Sequence, residues 1–130
     1  MKKIESVLIV EDDPIASLII QKRVSANPAI RQSQIFANGE LALAHIKNAL
    51  AADDDLPDLI LLDINMPVMD GWQFLENCTG LRKLQQVPVV MLTSSIDPED
   101  IAKAKTFPAV KGFFSKPLTR QHLDQIVGLL

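Results

Sequence analysis

Five side chains of complementary chemistry stand where apolar runs end. Glu11 and Asp12 follow Val7-Leu8-Ile9-Val10, Asp63 follows Leu59-Ile60-Leu61-Leu62, Thr93 follows Val89-Val90-Met91-Leu92, and Lys116 follows the run from Val110 to Ser115. Taken alone, Asp63 is a cation ligand, a nucleophile, or the cap of the turn that Asn65, Pro67 and Gly71 announce. Thr93 alone is β-branched filler, and a lysine before proline is ordinary surface. Their joint placement is the informative part. Three carboxylates brought together repel and raise one another's proton affinity unless a cation neutralises them. Hard oxygen donors with open positions suit Mg²⁺. The Thr93 hydroxyl and the Lys116 ammonium could hold a phosphoryl group, and the Asp63 carboxylate could accept one as an aspartyl phosphate.

The elements that must position these groups alternate. Ser6 to Val10 predicts a strand, and Asp13-Pro14 then caps and opens a helix carrying Ile15, Ile19, Ile20 and Val24. Gln34 to Ala37 is a weaker strand, and Asn38-Gly39 leads into a helix carrying Leu41, Ala44, Leu50 and their neighbours. Ala51 to Pro57, with three consecutive aspartates, predicts an exposed loop. After Asp63 a helix begins near Asp70-Gly71-Trp72 and ends near Gly80. Val87 to Leu92 predicts a strand with Pro88 at its tolerant start. Asp97-Pro98 opens another helix, Val110 to Ser115 forms the last strand, and Thr119 caps a helix carrying Leu123, Ile126, Val127 and Leu130. Strand followed by helix, five times over, requires crossover connections and therefore a parallel sheet with helices on both faces. In such a sheet the carboxyl ends of the strands share one edge, where ligands bind.

The totals exclude several classes. At 130 residues the chain is one domain, with 48% apolar and 22% charged residues, as in ordinary globular proteins. A net charge of -3 with scattered Lys and Arg offers no field for nucleic acid. The lone Cys78 excludes an internal disulfide and fits a reducing compartment. No apolar stretch reaches the roughly 18 residues of a membrane span, and Met1 to Glu5 begins no signal peptide. A cytoplasmic location is expected.

Four segments together carry a family resemblance: Val7-Leu8-Ile9-Val10-Glu11-Asp12-Asp13, Leu62-Asp63-Ile64-Asn65-Met66-Pro67-Val68-Met69-Asp70-Gly71, Val90-Met91-Leu92-Thr93-Ser94-Ser95 and Phe114-Ser115-Lys116-Pro117. Over essentially its whole length the chain resembles the receiver domain of two-component response regulators. The resemblance implies an α/β, flavodoxin-like, doubly wound parallel sheet of five strands in order 2-1-3-4-5, with five helices. It implies Asp63 as phosphoacceptor and Mg²⁺ held by Glu11, Asp12, Asp63 and the backbone carbonyl of Asn65. Glu11 stands where many receivers have Asp, and its extra methylene could make its contact water-mediated. Thr93 and Lys116 would bind the phosphoryl oxygens, Thr93 and Phe113 would form the switch, and the Lys116–Pro117 peptide would be cis. Phe113 has no hydroxyl, unlike the frequent Tyr, so burial alone would drive its movement; permanent packing in the core is its structural alternative. Ser94 occupies a position where the family often has Ala.

The implied partners are a sensor histidine kinase or histidine phosphotransfer protein and a downstream protein target, with no nucleic acid or membrane. The chain would be a monomer or a weak homodimer through the face of helix 4, strand 5 and helix 5. Residues 1–130 would form the receiver with no output domain, so the signal would leave by docking or by phosphorelay. Two rivals accompany this expectation. An aspartate-nucleophile phosphatase on a related fold shares the strand-end Asp, Thr and Lys, but favours a second Asp where this chain has Asn65. A degenerate receiver that only scaffolds would not need Asp12, Asp63, Thr93 and Lys116 together. Trp72, beyond the site loop, is expected to report Mg²⁺ by its fluorescence.

Overall fold

A computed structural model describes residues 3–94 and 96–130. Ser95, within the Thr93-Ser94-Ser95 motif, lies outside the described residues, as do Met1 and Lys2. In chain order the elements are β1 (Ile4–Val10), α1 (Pro14–Ala26), β2 (Ile30–Phe36), α2 (Gly39–Ala51), β3 (Leu59–Asp63), α3 (Gly71–Cys78), a 3₁₀ turn (Arg82–Gln86), β4 (Val89–Thr93), α4 (Pro98–Ala104), β5 (Val110–Ser115) and α5 (Arg120–Gly128). All strand pairs are parallel and the sheet order is β2-β1-β3-β4-β5, the doubly wound order expected.

The central strands β3 and β4 are buried at every position, which requires cover on both faces. Strand periodicity then sorts side chains into two cores. Leu8, Val10, Ile60, Leu62 and Met91 meet Ile46, Phe74 and Leu75 of α2 and α3. Val7, Ile9, Leu61, Val90 and Leu92 meet Ile20 and Val24 of α1 and Leu123 and Ile126 of α5. Each of these side chains contributes about 1.5–3 kcal/mol by burial, and together they fix the strand ends that carry the acids.

Caps set where the helices begin. Asp13 accepts from Ile15 N–H at 3.0 Å and Asp97 from Glu99 N–H at 2.9 Å, each with proline in the first turn. Asn38, Asp70 and Thr119 accept from Leu41, Gln73 and His122 N–H. Every cap anticipated from sequence is present. Other details differ. The α2 face turned inward is Ala42, Leu43 and Ile46, with Leu41 52% exposed, because its cap places Leu41 on the solvent side of the first turn. Ile15 does not join the core either; it is 71% exposed at the mouth of the site. α3 stops at Cys78, before Gly80. Burial pushes the Cys78 thiol up to about 12, so it stays protonated.

Candidate functional site

Register places the acids. Val10 pairs with Leu62 and Asp63 with Leu92, so Glu11 leaves β1 beside Asp63. Thr93 pairs with Ser115, and the Lys116 N–H donates to the Thr93 carbonyl at 2.7 Å. Glu11 N–H donates to the Phe36 carbonyl at 3.0 Å, which anchors the first acid to β2. Lys116 and Pro117 are joined by a cis peptide bond, as the resemblance implies.

Glu11, Asp12 and Asp63 each offer an oxygen within 4.8 Å of the others. Glu11 and Asp63 are almost fully buried, while Asp12 is more open. The Lys116 ammonium spans the pair, 2.6 Å from Glu11 Oε1 and 3.1 Å from Asp63 Oδ1. Burial first, then the hydrogen bond and charge of Glu11, push the Asp63 carboxyl up to about 7; Lys116 opposes this incompletely. Burial pulls the Lys116 pKa down, yet Glu11 and then Asp63 outweigh it and the net shift is upward. One ammonium therefore serves two buried carboxylates. The site is short of positive charge. Glu11 Oε1 is enclosed and takes no hydrogen bond beyond that ionic contact.

A cavity of about 440 Å³ opens over this edge, walled by Asp12, Asn65, Ser94 and Lys116 with Ile15 and Ile19 of α1 on its apolar side. Asn65 and Ser94 line this cavity. Thr93 is buried and is not part of that wall. Phe113 is half-buried and packs against the core shared by α2 and α3, not in the cavity. The sequence did not disclose the Lys116–Glu11 pairing, since nothing local sets a lysine against an acid 105 positions away. It marked Gly71 as a turn residue but not for its close approach to the acid edge. A Cβ there would lie 2.6 Å from the Asp63 carbonyl oxygen and 2.9 Å from Ile64 Cα, and Gly71 N–H donates to the Ile64 carbonyl at 2.8 Å. The glycine right after the Asp70 cap was the available signal.

The fold is that of a signalling receiver, and the comparisons agree. The family model for the response regulator receiver domain matches residues 7–128. The two-component response regulator ORR41 of Oryza sativa subsp. japonica is 31% identical, over 98% of this chain and 94% of that protein. A two-component response regulator from Cytophaga hutchinsonii superposes with a TM-score of 0.90 at 30% identity, covering 98% of this chain and 96% of that one. The manganese-bound form of response regulator Rcp1 superposes with a TM-score of 0.76 at 27% identity, covering 94% and 88%. The chain belongs to the response regulator receiver family. Among the described residues no helix is long and apolar enough to cross a membrane.

Proposed function

We propose that Asp63 accepts a phosphoryl group from a phosphohistidine and that the resulting charge switches a protein-docking surface. The observation that carries this reading is the edge itself: two buried carboxylates and a third nearby, bridged by one ammonium. The donor set fits a hard divalent cation, because three carboxylates with one counter-charge leave negative charge unmet. Glu11, Asp12, Asp63 and the Asn65 carbonyl would hold Mg²⁺; the enclosed Glu11 carboxylate favours a direct contact over one through water. Manganese in the related Rcp1 supports the same assignment. When bound, the metal supplies positive charge against the transferring phosphoryl oxygens.

The chain's own groups do the rest. An ionised Asp63 oxygen attacks phosphorus, the P–N bond breaks, and its electron pair returns to the imidazole. The product is a mixed anhydride. Water later attacks its phosphorus and frees Asp63 and inorganic phosphate. Lys116 leaves its carboxylates to pair with the phosphoryl oxygens, and the Thr93 hydroxyl donates to another. Phosphorylation adds about -1.5 to -2 charges at one point. Movement of Thr93 lets the half-buried Phe113 sink further, altering the face of α4, β5 and α5. The partners are a histidine kinase or phosphotransfer protein and a downstream protein in the cytoplasm, and self-pairing would use that same face.

The test is incubation with acetyl phosphate, with and without Mg²⁺. One equivalent of acid-stable, base-labile label is expected only with Mg²⁺, and none in Asp63→Asn. Steady turnover of a phosphomonoester would instead support the phosphatase, and an unlabelled native chain the scaffold.

A further inference from the structure

Behind the site loop, an aromatic–cation contact joins two helices that the switch described above does not connect. Trp72, in the first turn of α3, is almost fully buried. Its ring stacks on Phe107 with centroids 6.0 Å apart and planes 23° from parallel. The Lys103 ammonium sits 4.9 Å from the Trp72 ring centroid. Lys103 occupies the last turn of α4, and Phe107 follows that helix, its N–H donating to the Ala104 carbonyl at 3.1 Å. The end of α4 therefore closes over the start of α3. That start is locked to the acid edge by backbone: Gly71 donates to Ile64, and the absence of a Cβ lets it lie against the Asp63 carbonyl. No flexible side chain intervenes between the Asp63 backbone and Trp72.

We infer that Lys103, Trp72 and Phe107 form a clasp through which α4 and the backbone of the acid edge position one another. This is a second line of communication, one that does not run through the Thr93 hydroxyl. α4 has only seven residues, too few to hold its place by helix propensity, so its position is set by what it packs on. Coupling of this kind is reciprocal. A partner that shifts α4 pulls on the first turn of α3, and a displacement of the β3–α3 loop moves α4. Lys103 and Phe107 are positioning residues here, since neither reaches the cavity.

The inference deepens the proposed function but is tested on the metal-free, unphosphorylated chain, so its failure is separate from failure of the phosphoacceptor reading. Amide hydrogen exchange is measured in the full chain, in Lys103→Met (which keeps the stem and removes the charge), in Trp72→Phe, and in the double variant. A cation–π contact of this exposure predicts about two- to fivefold faster exchange on its loss. The acceleration is expected at the Gly71 and Phe74 amides of α3 as well as in α4, with the double variant no faster than either single one, and Lys103→Arg restoring native rates. Acceleration confined to α4 in Lys103→Met, or additive effects in the double variant, would overturn the clasp. Should Trp72→Phe fail to fold, Lys103→Met against Lys103→Arg alone decides between these outcomes.

Discussion

Two cavities of nearly equal size, about 440 and 450 Å³, lie at opposite ends of the sheet, and both are lined by acids. At the amino end of the strands, Glu5, Asp54, Asp55 and Asp58 surround the second cavity. There two of the charges are answered by neighbouring groups and the exposed Asp54 and Asp55 by solvent. Asp58 accepts the Glu5 and Ser6 N–H groups at 2.7 and 3.2 Å, Glu5 pairs with Arg31 at 3.0 Å, and these side chains are solvated. At the carboxyl end, Glu11 and Asp63 are buried and share one lysine. The acids at the amino end close turns and keep the surface charged. Those at the carboxyl end hold an arrangement that costs folding energy, which a fold keeps when something else binds there. Acid count and cavity volume do not separate the two ends; unmet buried charge does.

The sharpest way to break that comparison is metal affinity. Glu11→Gln is expected to weaken Mg²⁺ binding by at least about a hundredfold by calorimetry, since even a carboxylate outside the coordination sphere is worth roughly 10- to 100-fold. Asp58→Asn should leave the affinity unchanged. Equal losses in the two variants would place the metal elsewhere.

The next largest effect is on stability against pH. Asp63 carries a carboxyl raised from 3.8 to about 7 in the folded chain. The folded state therefore holds its proton more tightly than the unfolded one, and stability is lost as pH climbs from about 4 to 7. The shift corresponds to roughly 4 kcal/mol; Asp63→Asn, in metal-free protein at pH 8, should recover about half of that by denaturant titration, because the amide gives up the ion pair with Lys116, and flatten that pH dependence. Asp58→Asn should go the other way by about 1 kcal/mol, through weaker acceptance of two N–H groups. Stabilisation by both, or by neither, would show that the ends do not differ in charge balance.

Much of this was legible in sequence, and the exceptions have physical causes. The buried runs at β3 and β4 and the cap residues Asp13, Asn38, Asp97 and Thr119 carry local signals, so their elements emerged with little error. β2 was read as starting at Gln34, although it spans Ile30–Phe36. It is an edge strand whose Arg31, Gln32 and Gln34 are exposed, so neither a run nor a clean alternation marks it. Pro88 lies just before β4, not within it, and gives only its carbonyl, to Ile60 N–H at 3.0 Å. The strand-end acids were visible because apolar runs point at them. Which acid Lys116 would face, and that Gly71 must lack a Cβ, depend on sheet order and register and could not be read from neighbours in the chain.

Backbone strain repeats the contrast on a smaller scale. The two non-glycine residues with positive φ among those described fall one at each end: Asp53 at 56°, beside the acidic loop, and Val68 at 69°, in the loop after Asp63. Aspartate tolerates the left-handed region, but a β-branched side chain does not, and such an outlier stores about 1–3 kcal/mol. Val68 is 72% exposed, so packing within the chain returns little of that. The loop is held in this shape from both sides. Gly71 N–H bonds Ile64, and Met69 presses on Gly39, where a Cβ would lie 3.0 Å from Met69 Cγ. Val68→Asn should therefore stabilise the chain by about 1 kcal/mol, a rise of a few degrees in thermal unfolding. Asp53→Asn, whose ion pair with Lys83 is solvated, should move it by less than about 0.5 kcal/mol. Equal shifts would mean that the loop after Asp63 is no more strained than the one at the far end, and that strain, unlike charge, is spread evenly over the molecule.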